Sequence, residues 1–282
     1  MVKIISDSTC DLSPELVERY NIDILPLNVL LGNKEYQDGK NITPEEIFKW
    51  ADENKTTPKT SAPTMDTAVE MIKPYVEEGM EVVCFCISES MSTSGNVMRM
   101  VARELEAEDK VTVIDSANLS TGVGLMVIEA AIMASEGKSS SDIKAAIEIL
   151  KPKVRASFVV DTLTYLYRGG RCSATAAMAG SVLKLHPKIV VENGAMDATK
   201  KYRGKLAAVI MSYVKDMEDE LKNARNDRVF ITHSGCDREI VEGVKEYLRE
   251  LGIFNEILET RAGGVVSSHC GPGTLGVLFI SK

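Results

Sequence analysis

Five short stretches of the chain gather hydroxyls, glycines and cations in patterns suited to gripping an anion. They are "DSTCD" (7–11), "KTSAPT" (59–64), "SESMSTSG" (88–95), "YRGGRCS" (167–173) and "SHCGPG" (268–273). The third holds four serines and a threonine in eight residues, more than a helix cap needs. A loop of that kind offers hydroxyl donors together with free backbone N–H groups, which suits an anion. The plainer role for Thr64 and Ser94 is N-capping of a following helix. In the fourth stretch, two glycines between two arginines imply a closely packed backbone and a guanidinium held at a set angle. The plain alternative is a helix C-cap flanked by surface arginines. The functional reading makes Arg171 a fixed cation beside the hydroxyl loops.

His269 is one of three histidines and stands next to a Gly-Pro-Gly turn. It fills a loop, grips a ligand, or serves Ser92 as the base of a serine hydrolase or acyltransferase. The last role needs a serine on an elbow of the G-x-S-x-G kind, and the sequence has none. A sensor of a small acid or of phosphate is a further class. Neither G-x-G-x-x-G nor a P-loop is present, and "GVG" at 122–124 is a weak substitute, so no nucleotide or other cofactor is expected. His186 and His233 read as structural or rim residues.

The elements that must position these stretches follow from the β-α alternation. Strand-like runs fall at 2–6, 24–31, 81–88 and 110–116, with helical patterns about 14–20, 44–50, 65–76, 95–106, 121–135 and 140–151. Ser13 and Thr43 precede prolines at first helical positions, where a missing N–H costs nothing. The near-continuous apolar run "EVVCFCIS" fits a strand covered on both faces. The pattern resets at "KPKVRA". Beyond it come strand 157–161, a hairpin turning at Asn193-Gly194, a helix about 205–223, strand 228–234, helix 237–251, strand 254–260 and a final strand 274–281. The expected fold class is α/β. Residues 1–154 form a three-layer, Rossmann-like parallel-sheet domain and 155–282 a mixed-sheet α/β domain, with a ligand tunnel between or beside them. Ligands in open α/β sheets lie beyond the carboxyl ends of the strands, which is where the hydroxyl-rich stretches fall.

Composition narrows the field. Hydrophobic residues at 44% and charged residues at 26% fit a globular protein rather than a disordered one. A net charge of −8 argues against binding a phosphate backbone, so no nucleic-acid partner is expected. No run is long and apolar enough to cross a bilayer, and a strand-like run begins at residue 2, so neither membrane insertion nor a signal peptide is expected. Cys10, Cys84, Cys86, Cys172, Cys236 and Cys270 form no Cys-x-x-Cys pair and read as reduced thiols of a cytoplasmic protein, without a metal site. Met65, Met71, Met91, Met98, Met178 and Met196 lie near the hydroxyl stretches. They read as core filler or as an adaptable lining for a long apolar ligand.

The stretches also carry a resemblance. "SDSTCDL", "TSAPT", "DS" at 115–116, "LYRGGRCS", "HPKIVVENGAM" and "HCGPGTLGV" occur in an order that resembles the DegV family of bacterial fatty-acid-binding proteins across the whole chain. The resemblance implies that one long-chain fatty acid is held in a buried tunnel between two α/β domains. It also implies presentation of that acid to a separate ATP-dependent fatty acid kinase, which makes an acyl phosphate. Carried over residue by residue, the carboxylate is held by Ser92, by Thr60 or Ser61, and by His269. Arg171 completes the network by orienting His269, and the turn containing Gly271 and Gly273 sets the imidazole's position. The serine loop departs from the family at Thr93, where the family has glycine, and an alternative alignment puts Ser94 in place of Ser92. A non-enzymatic lipid carrier, monomeric, is the expectation.

Overall fold

The computed structural model describes residues 1–171 and 185–282, so Cys172 and Met178 lie outside the described residues. The first half contains β1 (Val2–Asp7), α1 (Pro14–Arg19), β2 (Ile22–Leu25), β3 (Asn28–Leu31), β4 (Lys34–Gln37), α2 (Pro44–Asn54) and β5 (Lys59–Ser61). It continues through α3 (Met65–Glu77), β6 (Glu81–Cys86), α4 (Ser94–Glu104), β7 (Val111–Asp115), α5 (Thr121–Ser135) and α6 (Ser140–Leu150). The second half contains β8 (Val154–Val159), α7 (Thr164–Arg168), β9 (Leu185–Glu192), β10 (Ala195–Arg203), α8 (Leu206–Asp216) and α9 (Glu218–Lys222). It ends with β11 (Ala224–His233), α10 (Arg238–Leu251), β12 (Glu256–Arg261), α11 (Gly264–Cys270) and β13 (Leu275–Ser281).

The fold is the expected α/β. One sheet is four-stranded and parallel, in the order β2-β1-β6-β7. Strand side chains alternate between faces. Ile5, Leu25, Val82 and Cys84 meet α3 and α4 on one face, while Ile4, Val83 and Phe85 meet α5 and α6 on the other. The second sheet is six-stranded and mixed, in the order β10-β9-β8-β13-β11-β12. On β13, Leu275, Val277 and Phe279 pack under α8 and α10, and Leu278 and Ile280 face the opposite way, toward α5. Helix α5 thus lies between the two sheets and is buried from Thr121 through Ala131 except at Glu129. Its sequence is apolar on all sides, as a helix covered on all sides must be.

Local signals account for several boundaries. Ser13 and Thr43 cap α1 and α2, each followed by proline, and Thr43 with Glu46 forms a capping box. Asn193 and Gly194 take φ of 50° and 79°, the left-handed pair that a two-residue hairpin turn demands.

Three expectations are corrected. "ILPLNVLL" is two strands, because proline at 26 has no N–H to donate to a sheet and ends β2. The chain then leaves the parallel sheet for a small antiparallel one, β4-β3-β5. The helix expected over 205–223 breaks at Met217 into α8 and α9. His269 is not in a loop but in the last turn of α11.

Candidate functional site

The parallel sheet reverses its strand order between β1 and β6, and the site forms beyond the carboxyl ends of those two strands. Asp7, the last residue of β1, is 0% exposed. It accepts from the backbone N–H of Ile87 at 2.9 Å and from Ser94 Oγ at 2.7 Å. The serine loop is thereby pinned to β1 at both its ends. From the other half of the chain, Ser88 Oγ donates to the Gly194 carbonyl at 2.7 Å, so the hairpin tip rests on the same loop. Ser94 is committed to Asp7 behind the loop, whereas Ser92 Oγ only accepts from the Ser94 N–H at 3.2 Å and keeps its own proton to donate.

Helix α11 is anchored by two more buried carboxylates. Asp38 accepts from the N–H groups of Gly264 at 2.6 Å and Val265 at 3.2 Å, and Asp11 accepts from Gly263 at 2.8 Å. These are the unsatisfied first-turn donors of any helix, met here by side chains from the opposite end of the sequence. Burial raises the pKa of Asp7, Asp11 and Asp38, against the hydrogen bonds that each accepts. The "DSTCD" stretch therefore stands behind the site as a fastening, not on its surface as expected. Thr60 comes from β5, paired with Val29 of β3.

These elements line a partly open cavity of about 450 Å³, within the range of about 300–1,000 Å³ usual for small-molecule sites. Thr60, Ser61, Ser92, Arg171 and His269 all border it. The rest of the wall is largely apolar, with Leu27, Ile87, Met91, Leu119, Leu166 and Met196 among the lining. A second hollow of about 680 Å³ shares Met91, Leu166, Arg171 and Met196 with its lining. Of the methionines singled out, Met91 and Met196 line the cavity, while Met65, Met71 and Met98 belong to the core under α3 and α4. Ser94, Gly271 and Gly273 do not border it; both glycines take positive φ in the turn after α11.

His269 Nε2 lies 2.7 Å from Thr60 Oγ1. Nδ1 is buried, lacks a partner among the described residues, and packs against Gly169. Burial first, and the Arg171 cation second, push the His269 pKa down to about 4. The ring is neutral at pH 7. A proton on Nε2 donates to Thr60 and leaves only a lone pair buried at Nδ1, avoiding an unpaired N–H. The Thr60 hydroxyl is then free to turn its own proton into the cavity. The neutral ring fits this seat.

The low value has a consequence for stability. The unfolded chain takes up the His269 proton near the ordinary 6.5 and the folded chain only near 4. The ring's contribution is complete above pH 6.5 and is lost as pH falls through that window. Between pH 7.5 and 4.5, the native chain is expected to lose about 2.5 kcal/mol more than His269→Gln. Urea unfolding of both proteins at the two pH values measures the difference. Equal losses would place the imidazole in a more solvated setting. The buried carboxylates slope the other way, which is why the comparison must be with the variant.

Arg171 donates through Nη1 to the Gly169 carbonyl at 2.5 Å and through Nη2 to the Met91 carbonyl at 2.9 Å. It does not hydrogen-bond His269, as the expected orienting role would require. It ties the end of α7 to the serine loop, and it acts on His269 through its charge and through the backbone against which the ring lies. The geometry for serine catalysis is not assembled: Nε2 is engaged by Thr60 rather than Ser92, and among the described residues no carboxylate meets Nδ1. His186 lies 3.3 Å from Asp161, and His233 lies 3.2 Å from Glu259, both outside the cavity lining. Cys10, Cys84, Cys86, Cys236 and Cys270 are unpaired, and among the described residues no cluster of side chains suited to a metal ion occurs.

Asp38 is a position beside the site that the sequence reading misses, and the contacts of Gly169 with His269 and of the Gly194 carbonyl with Ser88 were not foreseen although both glycines were singled out. Asp38 and Gly169 reach the site through backbone contacts rather than through an exposed reactive group. Asp7 and Asp11 fall inside the "DSTCD" stretch, whereas Asp38 stands alone in "YQDGK" and carries no local signal.

Fold and site together define an α/β protein of two large sheets and a small third one, whose cavity joins an apolar wall to a cluster of hydroxyl and imidazole groups. The chain belongs to the DegV family: the family model, described as an uncharacterised protein of the DegV family, matches residues 1–282. A DegV domain-containing protein of Clostridium acetobutylicum is 34% identical over 289 residues, covering 100% of this chain and 99% of that protein. A solved DegV family protein from Thermus thermophilus, described by its fatty acid binding, aligns with a TM-score of 0.90 at 30% identity over 100% of this chain and 99% of that one. A stearic-acid-binding protein from Eubacterium ventriosum aligns with a TM-score of 0.87 at 28% identity, also over 100% and 99%.

Proposed function

We propose that this protein binds one long-chain fatty acid, with the carboxylate at Thr60, Ser92 and His269 and the tail along the apolar wall. The observation that carries the reading is the convergence of these three residues, from three distant parts of the chain, at one cavity whose remaining wall is largely apolar. Solved relatives described as binding fatty acids support it. Burying roughly 14 methylenes yields on the order of 11 kcal/mol relative to water, but a bilayer offers the tail the same gain. The head group therefore decides between free acid and ester. A carboxylate accepts from the hydroxyls of Thr60 and Ser92, and the Thr60 donor is strengthened by the imidazole behind it. An ester carries no charge to reward those donors.

The fatty acid is held for a partner rather than transformed. We propose a separate ATP-dependent fatty acid kinase as that partner, with acyl phosphate as the product. The unpaired cysteines suit a reducing cytoplasm, and the working unit is a monomer divided into two domains near 154/155, where the strands of one sheet give way to those of the other.

Native mass spectrometry of the purified protein is expected to show one fatty acid per chain, with palmitate or oleate taken up after delipidation. Thr60→Val with Ser92→Ala is expected to weaken palmitate binding by at least about 100-fold, two hydrogen bonds to a charge being lost. A native chain that is empty and refuses both acids would overturn the reading.

A further inference from the structure

A groove of about 540 Å³ lies apart from the lipid cavity and shares no lining residue with it. Its wall comes from the turn after β7, from β8 and β9, and from α9. Asn118, in that wall, is 4% exposed. Its N–H donates to Ser116 Oγ at 3.1 Å, and its carbonyl accepts from the Ser88 N–H at 2.8 Å. Its Oδ1 accepts from the Leu119 N–H at 3.1 Å, which fixes the orientation of the amide. Nδ2 is left as a donor without an acceptor among the described residues, in a side chain that borders the groove. A buried donor in that position calls for an oxygen from a ligand. The charges of the groove make the same demand. Arg155, Lys188, Glu192 and Glu220 all line it, and none of the four forms an ion pair among the described residues. Lys151, by contrast, is neutralised by Glu148 at 2.8 Å. We propose that the groove binds a small zwitterion of the α-amino acid type with an aliphatic side chain.

The arrangement of the charges selects this class. The register of β8 and β9 sets Ala156 beside Val191, so Arg155 and Glu192, one residue further along each strand, are neighbours. They do not close on each other: Arg155 Nη1 donates to the Pro152 carbonyl at 2.8 Å instead. A simple anion in the groove would meet two carboxylates, and a simple cation would meet basic groups, so each is opposed by part of the lining. An α-amino acid carries both signs on one carbon and satisfies the two neighbours together. Its carboxylate accepts from the Asn118 amide and the Arg155 guanidinium, the stronger bonds being those to the charged donor. Its ammonium donates to Glu192, with Glu220 and Lys188 setting the field around the pair. Pro152 and Val190 offer apolar company to an aliphatic side chain. The proposal does not rest on the lipid reading above.

The experiment titrates the full chain with L-leucine and with two analogues. Isocaproate lacks the ammonium, and leucinamide lacks the carboxylate. Isothermal titration is expected to show one leucine per chain, with each analogue weaker by at least about tenfold. Glu192→Gln should weaken leucine by at least about tenfold while isocaproate stays within about threefold of its native affinity. Arg155→Gln should weaken leucine to the same degree and spare leucinamide. Neither residue belongs to the lipid cavity, so palmitate affinity within about threefold of native and an unchanged melting temperature show that the variants are folded. On the native chain, the Asn118 side-chain amide should shift in nitrogen-edited NMR spectra as leucine is added. That reading needs no variant and decides the matter if either substitution unfolds the protein. No leucine binding at millimolar concentration, an analogue as tight as leucine, or a silent Asn118 amide overturns the proposal. Leucine binding untouched by both substitutions overturns it as well. A chain that binds leucine but no palmitate would sink the lipid reading and leave the groove standing.

Discussion

Gly169→Ala is expected to weaken fatty acid binding by at least about 30-fold without unfolding the protein. Gly169 closes α7 with φ of −75° and ψ of −8°, a helical conformation that alanine adopts freely. Backbone freedom is therefore not why glycine stands there. A methyl group at this position would lie 2.2 Å from His269 Nδ1 and 2.8 Å from Cε1. The imidazole must move, and the 2.7 Å contact with Thr60 goes with it. The neighbouring glycine supplies the control. Gly170 has φ of 73° with open space around its α-carbon, so Gly170→Ala should lower stability by about 1 kcal/mol yet leave affinity within about threefold. Isothermal titration with palmitate, alongside thermal melts, separates the two effects. Native affinity in Gly169→Ala would show that the ring's seat does not matter to binding.

The second large effect is expected at Asp38, which does not itself border the cavity. Its carboxylate accepts from Gly264, Val265 and Ser8 Oγ, the last at 2.9 Å, and is 2% exposed. Asp38→Ala strands two backbone donors and a hydroxyl in the interior. The expected loss is about 3 kcal/mol or more of stability, or about 5 °C in melting temperature for a chain of this size. Palmitate affinity should fall as well, because α11 carries His269. Asp38→Asn keeps one acceptor oxygen and should lose less than half as much. Differential scanning calorimetry of the three proteins orders them, and an alanine variant as stable as the native chain would remove Asp38 from the account.

Both residues show where the sequence was readable and where it was not. The alternation of strands and helices, the proline-marked starts of α1 and α2 and the Asn193-Gly194 turn are local signals, and each acts where it is written. The hydroxyls at 60 and 92 and the imidazole at 269 were legible because their chemistry is unusual in bulk and their order resembles a family. Helix α11 was not legible. "GVVSSHC" is seven residues long, rich in β-branched residues and serine, and has no capping side chain of its own. Its cap, Asp38, lies 226 residues earlier. The strand β5 was hidden for a related reason: "KTS" has no apolar residue, and only pairing with β3 makes it a strand. Arg171 was recognised as a cation near the site, but its real work on the Met91 carbonyl depends on a loop 80 residues away.

The wide spacing of the site bears on how the protein is made. Thr60 and His269 are separated by 209 residues, which a ribosome takes about 10–40 s to add. Until α11 emerges and settles against β3 and α2, the nascent polypeptide offers lipid only an unfinished trough. Loading with cargo thus waits for synthesis to finish, and a chain truncated before residue 264 leaves its greasy wall open to chaperones and to aggregation.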